Sequence, residues 1–146
     1  ALRATAGKAN CSENRYLLNY LLASSLSLLD NPEPSPTSTA DQHVTAIKLY
    51  VEENLERDLS LEMVGERFSM NSNYISQLFH HRNDISYSDF VRTLRLDKAE
   101  FLVENTVLNI NEIAEKCGFN QTSYFIRLFK KAFHMTPKAY RLYRRA

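Results

Sequence analysis

The chain has 146 residues, 44% hydrophobic and 24% charged with only three Gly, a composition that suits one compact helical domain of about a hundred residues plus an appendage. Its two cysteines, Cys11 and Cys117, are too few and too far apart for a disulfide framework or a zinc site, so a reducing cytoplasm is the expected compartment. The net charge of +1 hides a split: residues 43–105 carry seven Lys/Arg against eleven Asp/Glu, a net of −4, while residues 106–146 carry eight against two, a net of +6. A polyanionic partner would be held mainly at the C-terminal end.

Residues 1–14 are polar and lack an initiating Met, which makes a fragment of a longer protein the expectation. Residues 15–29 read as a helix that is apolar around most of its circumference, through Tyr16, Leu17, Leu18, Leu21, Leu22, Leu26 and Leu29. Asn19, Ser24, Ser25 and Ser27 interrupt it, and it falls short of the roughly 20 residues that a membrane span needs. Neither a membrane anchor nor a signal peptide is therefore expected. Such a helix must pack on the following domain, on a second copy of the chain, or on an N-terminal domain missing from it. Residues 31–42, NPEPSPTSTADQ, hold three prolines at alternate positions and read as a linker. The expected organisation is an N-terminal segment over 1–30, a linker over 31–42 and a domain over 43–146.

The domain opens on an amphipathic helix over 44–56, with Val44, Ile47, Val51 and Leu55 on one face. One pattern then occurs twice, over 60–95 and 109–144, with a period of roughly fifty residues. The copies are offset by 49 at Ser60/Asn109 and Val64/Ile113 but by 50 at Tyr74/Tyr124, Phe79/Phe129 and Phe90/Tyr140, so one has gained a residue in its middle turn. Each reads helix, tight turn, helix, the form that lays a helix into a DNA groove. Ser60 stands where an N-cap belongs, and Asn109 with Glu112 has capping-box spacing. Turns follow at residues 69–71 and 118–120. The second helices then carry Tyr74, Ile75, Leu78 and Phe79 in one copy and Tyr124, Phe125, Leu128 and Phe129 in the other as their inward sets. This leaves Asn73, Ser76, Gln77, His80 and His81, and Thr122, Ser123, Ile126, Arg127, Lys130 and Lys131, on the outer faces.

Ser86 and Thr136, the latter followed by Pro137, cap the closing helix of each unit. The first of these helices covers about 87–105, with Phe90, Leu94 and Leu102 as its expected buried stripe, and at 1.5 Å per residue it spans about 28 Å. Adjacent major-groove faces on one side of B-DNA lie about 34 Å apart, so this helix is long enough to hold two recognition helices in neighbouring grooves. Cys117 is expected to be a buried, inert thiol.

The pattern Leu59-Ser60-Leu61, Asn71-x-x-Tyr74-Ile75, Leu78-Phe79 and Arg95-Leu96-x-x-Ala99 resembles the DNA-binding domain of AraC/XylS-type bacterial transcription regulators. More specific is the second signature, Ile113-Ala114-x-x-x-Gly118-Phe119-x-x-x-Ser123-Tyr124-Phe125-x-x-x-Phe129-Lys130-Lys131, closing on Thr136-Pro137-x-x-Tyr140-Arg141. The resemblance covers about residues 43–144. It implies an all-α fold of seven helices with two helix-turn-helix subdomains joined by a long connecting helix, and recognition helices near 72–82 and 122–132. The apolar N-terminal helix and Pro-rich linker are similar to what precedes this domain where a sensing or dimerisation domain lies upstream. The resemblance further implies double-stranded promoter DNA and RNA polymerase as partners, and a homodimer through residues 15–29 or a missing N-terminal domain.

The chain departs from the family where Gly is usual after each recognition helix, having Asp84 and His134, both of which tolerate a left-handed backbone. Gly65 stands where Ala is usual and is expected to loosen its helix by up to about 1 kcal/mol. His80-His81 replaces the usual Lys-Lys.

Side-chain chemistry assigns the expected roles. Arg127 is suited to bond guanine O6 and N7 together, Gln77 and Asn73 to pair with adenine N6 and N7, and Ile126 to meet a thymine methyl; Ser76 and Thr122 face the same edges. Ser72, His80, His81, Ser123, Lys130 and Lys131 are expected on phosphates. The plainer alternative for each is a solvated helix surface, and Tyr74 and Tyr124 are expected in the core. No catalytic constellation, metal motif or cofactor loop is present, and His80 and His81 point about 100° apart on a helix, where paired zinc ligands want a spacing of four. The competing class is a helical protein-interaction module using residues 15–29.

Overall fold

The computed structural model describes residues 38–146. The expected apolar helix over 15–29, the dimer contact assigned to it, Cys11 and linker residues 31–37 lie outside the described residues. Among the described residues there are seven helices and no strand: α1 Thr39–Glu53, α2 Leu61–Phe68, α3 Ser72–Asn83, α4 Tyr87–Asn105, α5 Ile110–Lys116, α6 Thr122–Phe133 and α7 Pro137–Arg145. The all-α double helix-turn-helix architecture is as the sequence implies.

Most boundaries follow from capping. Ser60, Ser86 and Thr136 each accept a hydrogen bond from the backbone N–H three residues on, and Asn109 and Glu112 form the complete capping box. The expected start of α1 at residue 44 needs correction. The helix begins at Thr39, because the Ser38 hydroxyl accepts from Asp41 N–H at 3.4 Å and donates to the Asp41 carboxylate at 2.8 Å. This serine-to-aspartate cap is concealed by the proline run before it. At its other end α1 stops at Glu53, where Asn54 turns its N–H back to Val51.

Two separate cores form. Ile47, Val51, Leu59, Val64, Ile75, Phe79, Tyr87 and Val91 make the first. Leu96, Ala99, Val103, Ile113, Ala114, Cys117, Phe119, Phe125 and Phe129 make the second. Helix α4 serves both, which is why the expected stripe of Phe90, Leu94 and Leu102 is only half-buried. A helix shared by two cores presents a different face to each, so its deepest residues, Tyr87, Val91, Leu96, Ala99 and Val103, follow no single line. Polar anchors reinforce it: the Tyr87 hydroxyl donates to the Leu59 carbonyl at 2.9 Å, and the Tyr140 hydroxyl donates to the buried Glu100 carboxylate. The Cys117 thiol is fully buried, and that burial pushes its pKa up to about 11.

The extra residue in the middle turn belongs to the second copy: three residues, Ser69 to Asn71, join α2 to α3, whereas five, Cys117 to Gln121, join α5 to α6, one of those two more because α5 is a residue shorter than α2. Both turns contain a left-handed residue, Ser69 at φ 54° and Gly118 at φ 78°. Gly65 does more than loosen α2. A β-carbon there would lie 2.6 Å from the Met70 carbonyl oxygen, so the glycine makes room for the turn.

Candidate nucleic-acid interface

Helices α3 and α6 occupy equivalent places in the two subdomains, each pinned by a buried inner face of Ile75, Leu78 and Phe79 or Phe125 and Phe129. Anchoring of this kind holds the opposite face rigidly outward. On α3 that face carries Asn73, Ser76, Gln77, His80 and His81, all exposed, with the two imidazole rings 6.3 Å apart. Ser72 is half-buried at its start. On α6 the exposed residues are Ser123, Arg127, Lys130 and Lys131. Thr122 is half-buried, and Ile126, expected on the outer face, is half-buried against the second core. Its position on the helix puts it at the edge between the packed and open faces, leaving only part of its side chain outward.

The two helices begin differently. The Asn71 side chain accepts from Asn73 N–H at 2.8 Å and so satisfies one first-turn amide of α3. Gln121 makes no side-chain cap on α6, whose first-turn amides remain unmatched by a side chain. Both helices end on left-handed residues, Asp84 at φ 54° and His134 at φ 62°, confirming that these side chains take the conformation for which Gly is usual.

The tyrosines correct the sequence reading. Tyr74 and Tyr124 are 38% and 39% exposed, so neither is a core residue. Tyr74 pairs its hydroxyl with His43 Nδ1 at 3.2 Å, tying the front of α3 to α1. Tyr124 shelves the Arg127 guanidinium, whose central carbon lies 5.3 Å from the ring centroid. The i and i+3 spacing of Tyr124 and Arg127 carried that signal in the sequence.

Electrostatically the two faces are unequal. Arg82, at the end of α3, is engaged by Asp41 at 3.2 Å and by the Ser38 hydroxyl at 3.0 Å. Among the described residues, Arg127, Lys130 and Lys131 enter no ion pair, so α6 presents three uncompensated cations. No group of side chains that could hold a metal occurs among the described residues, and no described helix is long and apolar enough to cross a membrane.

Comparison with known proteins agrees with this geometry. A family profile described as a helix-turn-helix domain matches residues 64–143. The chain is 30% identical over 114 residues to an uncharacterized HTH-type transcriptional regulator, YpdC, of Escherichia coli K12, a match covering 78% of this chain and 40% of that protein. It thus spans less than half the length of that relative. Among solved structures, the C-terminal domain of AraT, a response regulator from Geobacillus stearothermophilus, superposes with a TM-score of 0.69 at 32% identity, covering 73% of this chain and 89% of that one. A transcriptional regulator from Chromobacterium violaceum, described as containing an AraC-type DNA-binding domain, superposes with a TM-score of 0.65 at 25% identity, covering 72% and 94%. With two helix-turn-helix units on one connecting helix and a family profile matching residues 64–143, the chain belongs to the AraC/XylS family of DNA-binding transcription regulators.

Proposed function

We propose that residues 38–146 form a unit that reads double-stranded promoter DNA by placing α3 and α6 in two successive major grooves from a single chain. The observation that carries this reading is the pairing of two outward polar helix faces with one 19-residue connecting helix. That helix rises about 28 Å, close to the roughly 34 Å between groove faces. In this reading Arg127 takes a guanine edge from its tyrosine shelf, while Asn73, Gln77 and Ser76 read the other groove. Thr122 and the outward part of Ile126 complete the second base contact. Ser72, His80, His81, Ser123, Lys130 and Lys131 hold phosphates, joined by the first-turn amides of α6. Binding is strongest at the second unit, where the cations are uncompensated.

The test is duplex binding over a range of salt concentrations. Neutralising several phosphates releases counterions, so the logarithm of the affinity should fall steeply and linearly with the logarithm of salt, by about 0.9 per phosphate contacted. A flat salt dependence, or no retention of any duplex from a random pool, would overturn the reading in favour of a protein-binding module.

A further inference from the structure

Reading two grooves with one chain requires the recognition helices to keep a fixed separation and a fixed rotation about the DNA axis. One base pair changes the separation by about 3.4 Å and the rotation by roughly a tenth of a turn. Among the described residues the two cores share none, and α4 passes from one to the other between Leu94 and Leu96. A single helix bends, so α4 alone would let the subdomains rock.

A second connection exists at the crossover. Arg95 stands between those two leucines, half-buried, and its guanidinium donates from Nε to the Leu55 carbonyl at 3.1 Å and from Nη2 to the Arg57 carbonyl at 2.8 Å. Both carbonyls belong to the segment joining α1 to α2. The turn of the second unit closes on the same point: a β-carbon at Gly118 would lie 2.2 Å from the Leu55 carbonyl oxygen and 2.9 Å from Arg95 Cζ and Nε. Gly118 therefore lacks a side chain for two reasons, its left-handed φ and this three-way approach. One turn further along α4, Lys98 reaches Glu56 at 2.9 Å. Gly118 lies only four residues before α6 begins, so the junction acts close to the root of the second recognition helix.

We propose that Arg95 and Gly118 form a clasp against the Leu55 carbonyl that fixes α6 relative to α3, making Arg95 a positioning residue that sets how many base pairs may separate the two tracts the protein reads. This rests on the DNA reading above. Only a planar, forked donor set reaches both carbonyls at once, so Lys at this position cannot reproduce the clasp. Arg95 itself touches no base, and its loss should relax spacing and leave sequence preference within each tract unchanged.

The experiment takes a duplex selected by the full chain from a random pool and compares it with duplexes gaining or losing one base pair between the two protected tracts. The unaltered chain should bind the altered duplexes about tenfold or more weakly. Arg95→Met, which keeps the aliphatic stem, should reduce that discrimination to about twofold, with Arg95→Lys between. Arg92→Met, on the same helix and one turn earlier, should keep the original ratio. A DNA-free arm follows the interhelical distance with spin labels at His81→Cys and Lys131→Cys in a Cys11→Ser background, Cys117 being buried. The distance distribution should be narrow in the parent and broader with Arg95→Met or Arg95→Lys. Unchanged discrimination and an unchanged distribution in the folded Arg95 variants would overturn the clasp. Failure of the unaltered chain to bind any duplex would overturn the DNA reading, while the distance arm would still decide whether the clasp exists.

Discussion

Arg127 and Lys130 stand one turn apart on α6 and should fail differently when removed. Arg127→Ala should cost about 1–3 kcal/mol of binding and relax preference at one base pair, whereas Lys130→Ala should weaken all sequences alike and lower the salt slope by about one. Competition binding with single-base variants measures both, and equal, sequence-independent losses for the two would contradict the assignment. Gln77→Ala and His80→Ala should cost less than either, because the uncompensated cations lie on α6. Residue identity on the open faces was legible, apart from the half-buried Thr122 and Ile126, because the inward residues recur at helical spacing and most of what remains points out. Tyr74 and Tyr124 were misread, since an aromatic at the edge of an apolar stripe looks like core until its hydroxyl partner or its cation is located. Cys117 supplies a test of the second core. Its pKa rises from 9.0 to about 11 on burial, so as pH increases the unfolded chain gives up the thiol proton first. The stability tied to that proton is therefore full below about pH 9 and lost as pH climbs through 11. Burial raises the Tyr87 and Tyr140 phenols as well, adding alkaline sensitivity of the same sign. Urea unfolding at pH 8 and pH 10 should show a steeper loss for the parent than for Cys117→Ala; parallel losses would show that the thiol proton has no part in it.

At the level of helices, caps were the most legible feature, because a cap is a local event whose partners lie within three residues. Asn109 and Glu112 satisfy each other's backbone amides at 2.8 and 2.9 Å, so Asn109→Ala should destabilise the second unit by about 1 kcal/mol in thermal or urea unfolding. Asp84→Gly and His134→Gly should do the reverse, each stabilising by up to about 1 kcal/mol, because both residues hold a left-handed backbone that glycine adopts without steric cost. Loss of stability on either replacement would mean that these side chains make contacts outweighing their backbone strain. The start of α1 was hidden for the opposite reason: a strong composition signal, three prolines in a row of alternate positions, masked a short cap at Ser38. Gly65 was misjudged because its neighbour in space, the Met70 carbonyl, belongs to a turn whose path no local pattern specifies.

At the largest scale, repetition of the helix-turn-helix pattern and the length of the connecting helix make the architecture of residues 38–146 readable in the sequence. The division into two cores was not readable, since it depends on which face of α4 meets which unit. Nor was the junction of Leu55, Arg95 and Gly118, which joins residues 40 and 63 positions apart in the chain and is visible only once folded. Charge asymmetry was legible from counting alone, but the pairing of Arg82 with Asp41 deepens it by occupying a cation at the end of α3. Under the proposed DNA reading, the unlike outward faces of α3 and α6 on one scaffold mean that a single chain should protect an asymmetric stretch of roughly 20 base pairs. Hydroxyl-radical footprinting of a selected duplex, with the number of chains per duplex determined on the same complex, tests this most directly. The expected result is one chain protecting two tracts of different sequence about one helical turn apart; a two-fold symmetric footprint with one short half-site per chain would contradict it.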